Sequence, residues 1–416
     1  MASLKKNILY SGILTTANYI FPLITYPYVS RVLGVANIGV CNFVDSIINY
    51  FLIFSALGIG VVGIREIAKN KGDKEKLQKS FSQLFTINTI STSIALLVLM
   101  VAMHTIDRLQ ENYELLWIGV LKLVFNYLLI EWFYKGLEDF KYITNRTIWV
   151  RSLYVICVFI LVKTPQDISI YYFLTSAIII INAAINVLYA RKYVKFTFFF
   201  SALKEYTKSI CVFGLYNILT SMYTTFNVAY LGFVSTDTQV GYYTTSTKIH
   251  TIILMAFTAV TGVLMPRMAA ILSEKRYDEY KRLIKKSVQI LLLFAIPCVI
   301  IIEIFAPLII RIIAGAGYEG AIIPLRIIAP LVLIIGIEQI LITQSLIPMG
   351  KDKAVLINSI MGAIVGLLAN IIIVPYFNSI GSAIAWLTAE IAVMLSAAYF
   401  FNKEWHKLNP VKYSNK

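Results

Sequence analysis

The sequence predicts an all-α integral membrane protein, with twelve transmembrane helices in two pseudo-symmetric six-helix bundles around a central cavity. Three observations predict it. Of the 416 residues, 58% are hydrophobic and only 14% are charged, with a mean hydropathy of +0.75; a soluble globular chain carries about 25% charged residues. Apolar stretches long enough to span about 30 Å of hydrocarbon as helix recur along the whole chain. A shift of 202 residues lays Gly12 on Gly214, Gly39 on Gly241 and Arg65 on Arg267, which marks an internal repeat. A membrane protein built from two similar halves commonly encloses a cavity and moves one half against the other. Transport is the first functional expectation.

In chain order the stretches are 7–30, 37–64, 81–103, 113–135, 146–163 and 169–190, then 206–232, 239–265, 287–313, 321–346, 354–375 and 379–401. The first is too long for a signal-peptide core and lacks a small-residue cleavage site, so it reads as a retained helix. The largest polar connections are 65–80, 191–205 and 266–286. The repeat boundary falls in 191–205 and divides the chain into bundles 1–200 and 201–416. Two six-helix units joined inside to inside have the same orientation, a parallel repeat about an axis normal to the membrane. The segments 69–79 and 273–286 follow the second helix of each half. They fit either short amphipathic helices on anionic lipid or solvated loops.

Charge placement fixes the topology. With the N-terminus, Lys5 and Lys6 inside, all but seven of the 37 Lys and Arg lie on inside connections. Only Arg31, Arg108, Lys163 and Arg311 lie outside, and Lys122, Lys248 and Arg326 lie within spans. This is the positive-inside pattern, with both termini cytoplasmic. It explains the net charge of +15 without nucleic acid. Cys41, Cys157, Cys211 and Cys298 are scattered through apolar segments without paired or metal spacing, so they read as small hydrophobes.

Polar residues within the spans are the candidate binding groups. Asn7, Ser11, Thr15, Asn18, Pro22 and Thr25 share one face of the first helix. Their images are Ser209, Phe213, Asn217, Thr220, Thr224 and Asn227, where only Phe213 breaks the polar pattern. On the second helix Asn42, Asp45 and Asn49 form a stripe. Its image is Thr244, Thr247 and Thr251, with Lys248 at the image of Ser46. An ionisable group at mid-bilayer costs about 2.5–3.5 kcal/mol even on the lenient insertion scale, so these faces turn inward. Polar helix contacts account for single Ser and Thr positions equally well.

Lys122 and Arg326 are near-images, and Asp45, Lys122, Lys248 and Arg326 all lie about 9–14 Å from the outer helix ends at 1.5 Å per residue. With Arg31 at the outer mouth they make an electropositive set suited to an anion, above all a phosphate. The candidate substrate-binding residues are Arg31, Asp45, Lys122, Lys248, Arg326, Asn18, Asn49, Asn217 and Thr247. The competing reading pairs Asp45 with Lys248, and Arg326 with Glu338 or another carboxylate, as buried locks.

Glu131, Glu303, Glu338 and Glu390 are candidate carriers of H+ or Na+, although Glu131 lies near the cytoplasmic end. His250 reads equally as a packed histidine or a proton relay. Among the prolines, Pro22 and Pro27 are candidate bending points of the first helix, unless neighbouring helices satisfy the broken bonds. Gly315 to Gly320 matches GxGxxG on paper, but no strand precedes it, and Gly350-Lys351-Asp352 is not a Walker A motif. The three histidines lack metal spacing, and no nucleophile elbow is present. The sequence therefore offers no enzyme chemistry and no bound cofactor beyond a coupling ion. A membrane glycosyltransferase or polymerase would call for a large polar extracytoplasmic loop, and none is predicted.

Four segments carry a resemblance: PYVSRVLGVANIGVCNF (27–43), GIREIAKNKGDKEKL (63–77), EWFYKGLEDFKYIT (131–144) and LIPMGKDKA (346–354). The chain resembles Wzx-type O-antigen and capsular polysaccharide flippases of the polysaccharide transporter family, in the superfamily that includes MATE exporters. The resemblance implies two six-helix bundles facing a cavity that opens alternately to either side. It implies an undecaprenyl-diphosphate-linked oligosaccharide repeat unit as cargo, moved across the bacterial cytoplasmic membrane for O-antigen or capsule assembly. Membrane lipid, a polysaccharide polymerase and chain-length machinery are the implied partners. Arg31, Lys122, Lys248 and Arg326 would supply the cationic lumen. Tyr223, Tyr230, Tyr242 and Tyr243 are candidates to stack on sugars or to serve as packing aromatics. Two other readings are a MATE-like cation-coupled multidrug exporter, which would want carboxylates to dominate, and a non-transporting scaffold, which would not need paired polar faces.

Overall fold

The computed structural model describes residues 4–200 and 204–407, and among them every regular element is helical. Eight described stretches are long and apolar enough to cross a membrane. The expected apolar stretches are all carried by helix, but helix breaks move several of their bounds. The chain divides into two compact units, Met1–Ile218 and Leu219–Lys416.

Unit 1 begins with α1 (Leu4–Ala56). As one rod its 53 residues would run about 80 Å at 1.5 Å each, far beyond a bilayer. Gly34 breaks it with φ 78 and ψ 167. Tyr28 and Asn37, on either side of the break, both reach one connection: the Tyr28 hydroxyl donates to Val162 O (2.7 Å) and Asn37 Nδ2 to Pro165 O (2.8 Å). The turn, not Pro22 or Pro27, ends the first span. A second break at Leu57 (φ 43) separates α1 from α2 (Ile59–Asn70).

α3 (Lys74–Thr105) starts at Asp73, whose carboxylate accepts from the backbone N–H groups of Glu75 (3.0 Å) and Lys76 (3.1 Å). Those bonds and the Lys76 ammonium hold the Asp73 carboxyl below its usual range, as N-capping predicts. The lysine-rich segment 69–79 is therefore the end of α2 and the first turn of α3. In unit 2 the matching 273–286 is a turn followed by the start of α12. Neither segment forms a separate surface helix.

After α4 (Asp107–Gln110), the next span is interrupted. α5 (Tyr113–Asn126) passes through a 3₁₀ turn at Tyr127–Leu129 and a left-handed Ile130 (φ 38) into α6 (Glu131–Gly136). α7 (Phe140–Leu161) and α8 (Ile168–Ala190) complete the set. α1 packs on α3, α5 and α7, and α5 packs on α8. An aromatic core of Phe81, Phe85, Trp132, Phe133 and Tyr134 gathers α2, α3 and α6. Tyr206 and Ile210, on α9 (Lys204–Thr224), join the same core. A Cβ on Gly58 would lie 2.5 Å from Ile210 O. This close packing carries unit 1 past the linker to residue 218, whereas the sequence places the boundary at 200/201, beside residues 201–203 that lie outside the description.

Unit 2 holds α10 (Phe226–Val234), α11 (Asp237–Ser273), α12 (Tyr277–Ile313), α13 (Ile322–Ile328), α14 (Leu331–Glu338), a π-helical run Gln339–Leu346 and α15 (Asp352–Lys407). α15 is a hairpin. Asn378 breaks it (φ 51), a Cβ on Gly381 would sit 2.8 Å from Val374 Cα, and Ser396 Oγ lies 2.6 Å from Asn358 Oδ1 across the fold.

Candidate functional site

Within unit 1 the structure brings three of the expected residues together. Gly119 on α5 lies against Ile48 on α1, where an added Cβ would come within 2.5 Å of Ile48 Cγ1. Less than one turn further along α5, Lys122 Nζ meets Asp45 Oδ1 at 2.5 Å. Asn49 Nδ2 approaches Asp45 Oδ2 (3.5 Å), and the Tyr172 hydroxyl donates to Asp45 Oδ1 (3.4 Å). The Lys122 ammonium also lies 4.3 Å from the Tyr172 ring centroid. The Lys122 side chain is 7% exposed and that of Asp45 41%. The cation is enclosed, and the carboxylate that neutralises it reaches the surface of the unit. Asp45 thus takes Lys122 as its partner, where the sequence offered Lys248.

The other candidates in unit 1 bond elsewhere. The exposed Arg31 guanidinium donates to Pro27 O. Asn18 is exposed, and its carbonyl accepts from Arg151 Nη1 (3.3 Å). Asn217 Nδ2 donates to Leu57 O (2.9 Å), satisfying a carbonyl at the break between α1 and α2. Of the remaining polar face, Thr15 and Thr25 return their hydroxyls to Ser11 O and Phe21 O on their own helix. That contact satisfies them without a ligand. The side chains of Lys5, Tyr223 and Thr224 lie outside the described residues.

In unit 2, Lys248 is half-buried on α11 beside Thr247, whose hydroxyl donates to Thr244 O (3.0 Å). Thr244 and Thr251 likewise bond back to Val240 O and Thr247 O. Arg326 Nε donates to Glu303 O (3.1 Å) and lies 4.0 Å from the Glu303 carboxylate. Of the partners that the sequence left open, Glu338 or another carboxylate, Arg326 thus meets Glu303. Both side chains are exposed, 42% and 45%, so the pair is weak. His250 is 1% exposed and stands edge-on to Trp386 with centroids 5.1 Å apart; the Trp386 indole donates to Glu390 Oε1 (2.8 Å). Tyr243 is buried, with its hydroxyl accepting from Asn227 Nδ2 (3.1 Å), and Tyr230 stacks on Phe226. Tyr242 packs beneath Gly320.

Two buried networks escaped the sequence reading. Arg146, read there as an inside-loop charge, is 6% exposed on α7 and donates to Glu131 Oε1 (2.8 Å) and Asn186 Oδ1 (2.5 Å). The Tyr142 hydroxyl donates to the same Asn186 oxygen (2.9 Å). The signal was present in Asn182 and Asn186, which stand four apart in an otherwise apolar α8. In unit 2, Asn370 Nδ2 donates to Asn227 Oδ1 at 2.5 Å, with both residues fully buried. Asn227 stood on the expected polar face and Asn370 in the apolar stretch 354–375 with Asn358, but nothing in the sequence paired Asn227 with Asn370.

A family model described as "Polysaccharide biosynthesis protein" matches residues 4–272. A protein of Escherichia coli (strain K12) named "Putative O-antigen transporter" is 28% identical over 401 residues, covering 94% of this chain and 95% of that one. Two solved structures share the fold. One is titled lipid II flippase MurJ, inward closed conformation, with TM-score 0.74 and 14% identity over 97% of this chain and 90% of that one. The other is an inward-facing multidrug resistance MATE family transporter of the MOP superfamily, with TM-score 0.70 and 15% identity over 95% and 96%.

Proposed function

The chain belongs to the polysaccharide biosynthesis protein family, and from that premise we propose that it is a flippase for polysaccharide precursors in the bacterial cytoplasmic membrane. Its cargo is an undecaprenyl-diphosphate-linked oligosaccharide repeat unit destined for O-antigen or capsular polysaccharide, moved by alternating access with both termini in the cytoplasm. A proton or sodium ion supplies the drive. The observation that carries this reading is the similarity over 94% of the chain to the Escherichia coli relative. The MurJ fold likeness is consistent with a lipid-linked cargo.

The cations are the groups for the diphosphate. Lys122 is held by Asp45 and Tyr172, so a phosphate that engages it competes with a carboxylate. Arg326 donates to the Glu303 carbonyl and has a long, exposed contact with its carboxylate, which leaves the guanidinium the better donor to a new anion. Lys248, Arg31 and the polar residues Asn18, Asn49, Asn217 and Thr247 complete the proposed set.

The test is a deletion strain. Loss of the gene leaves lipid-linked sugar on the inner leaflet, and the wild-type gene clears it. Lys248→Ala with Arg326→Ala is expected to fail to clear it while reaching the membrane at normal levels. Full clearance by the double variant removes these two cations from the site. No accumulation in the deletion strain refutes the flippase reading itself.

A further inference from the structure

Unit 1 carries a cleft of about 520 Å³ where α8 leaves its apolar stretch. Its walls are Phe85, Leu128, Val187, Val194, Phe196 and Phe198, and its rim is Arg191 and Lys195. The segment that closes it, residues 194–199, has no regular secondary structure, yet it is fixed along its length. Gln78 on α3 clamps Lys195 with both ends of its amide: Nε2 donates to Lys195 O (2.7 Å) and Oε1 accepts from Lys195 N (2.7 Å). Ser82 meets Thr197 Oγ1 at 2.8 Å, and Phe199 N donates to Thr86 Oγ1 (2.9 Å). Phe196 packs edge-on to both Phe81 and Phe85, with centroids 5.2 Å apart in each case. Three polar side chains at intervals of four along α3 thus hold the segment, Gln78 and Thr86 through its backbone and Ser82 through the Thr197 hydroxyl. The cleft is built, and filling it does not have to order a loop.

The rim charges differ from most of their neighbours. Lys71 pairs with Glu138, Lys76 with Asp73, and Lys135 and Arg146 with Glu131. Among the described residues no carboxylate lies within ion-pair distance of Arg191 or Lys195, and both are exposed. No amide or carboxylate side chain lines the cleft, so its lining offers no acceptor pair for sugar hydroxyls. Apolar walls beneath two uncompensated cations, at a helix end belonging to the Lys- and Arg-rich side, complement an anionic amphiphile whose headgroup is small.

We propose that this cleft is a binding site for an anionic phospholipid of the bilayer, with the phosphate between Arg191 and Lys195 and an acyl chain against Phe85 and Phe198. It is distinct from the proposed cargo site, whose residues include neither Arg191 nor Lys195. The site stands whether or not the flippase reading holds, because its test reads lipid binding alone.

The full chain, purified in detergent and offered equal phosphatidylglycerol and phosphatidylcholine, is weighed intact by native mass spectrometry. Wild type is expected to retain one phosphatidylglycerol in preference to phosphatidylcholine. Arg191→Gln with Lys195→Gln is expected to lower that occupancy on the order of tenfold, since each basic residue near an anionic lipid contributes comparably. The charge-conserving exchange Arg191→Lys with Lys195→Arg is expected to keep it, which separates charge from folding. Phe198→Ala is expected to weaken retention without changing headgroup preference. Equal retention of the two lipids overturns the proposal, as does retention unchanged in the glutamine variant. Displacement of the lipid by millimolar inorganic phosphate would identify a plain anion site and overturn it too.

Discussion

Lys122 decides how the charged residues in the spans of unit 1 are to be understood. Its ammonium is enclosed and its carboxylate partner is partly open, with Tyr172 serving both. Removing one partner of a fully buried pair costs about 3–5 kcal/mol. The Asp45 side chain is partly open, which lowers the figure to roughly 1–2 kcal/mol for Lys122→Met. Asp45→Asn is expected to cost more, about 3 kcal/mol, because it leaves the enclosed cation facing a neutral amide. The double variant is expected to lose clearly less than the sum, and a thermal unfolding cycle in detergent reads the coupling; additive losses would mean that the two groups do not stabilise each other. The sequence already put Asp45 and Lys122 at one depth, because counting 1.5 Å per residue from the helix ends needs no tertiary information. The choice of partner was not legible. It depends on α5 lying against α1 through Gly119, and nothing local to Asp45 or Lys122 encodes which helices touch. Arg146 was misread for the same reason: its burial comes from the kink at Ile130 that turns Glu131 towards α7.

At the scale of elements, apolar length located the helices and failed at their breaks. Gly34 is the break whose residue type explains it. With φ 78 and ψ 167 it occupies a region essentially closed to other residues, while the space around a would-be Cβ is open. Gly34→Ala therefore incurs backbone strain alone, about 1–3 kcal/mol. Gly12→Ala, at an open helical position, is the control and is expected to be neutral or slightly stabilising by up to about 1 kcal/mol. Comparing the two melting temperatures checks this, and equal shifts would mean that the turn does not constrain the chain. Leu57 and Ile130 also have positive φ, although neither residue favours it. At Leu57 the conformation is held from outside, by the Asn217 amide on its carbonyl and by Gly214 packed on its side chain. Those partners are remote in sequence, so no local pattern announces the break. Prolines misled in the opposite direction: Pro22 and Pro27 were the candidate bending points of the first helix, yet the break in α1 falls at Gly34.

At the scale of the whole chain, the 202-residue repeat foresaw some features and not others. The image of Gly34 is Thr236, which stands at the N-cap position of α11 after the Ser235 connection, so the first turn of each half coincides. The image of the Leu57 break falls at residue 259, inside the unbroken α11, so the halves differ one helix later. The repeat also suggests cutting the chain at 200/201, whereas the packing of unit 1 runs on to 218. Those two boundaries make different demands on α9. A cut after 200 leaves Lys204–Thr224 whole, so Tyr206 and Ile210 can still dock as a complete helix into the aromatic core. A cut after 218 splits α9 within its apolar stretch, freeing backbone groups that cost several kcal/mol each in hydrocarbon. Co-expressed pieces 1–200 and 201–416 are therefore expected to accumulate in the membrane and restore surface polysaccharide to the deletion strain. Pieces 1–218 and 219–416 are expected to be degraded, as read by membrane-fraction immunoblots. If the second pair survives as well as the first, continuity of α9 is not what joins its docked half to the rest of the helix, and the boundary belongs where the compact units part.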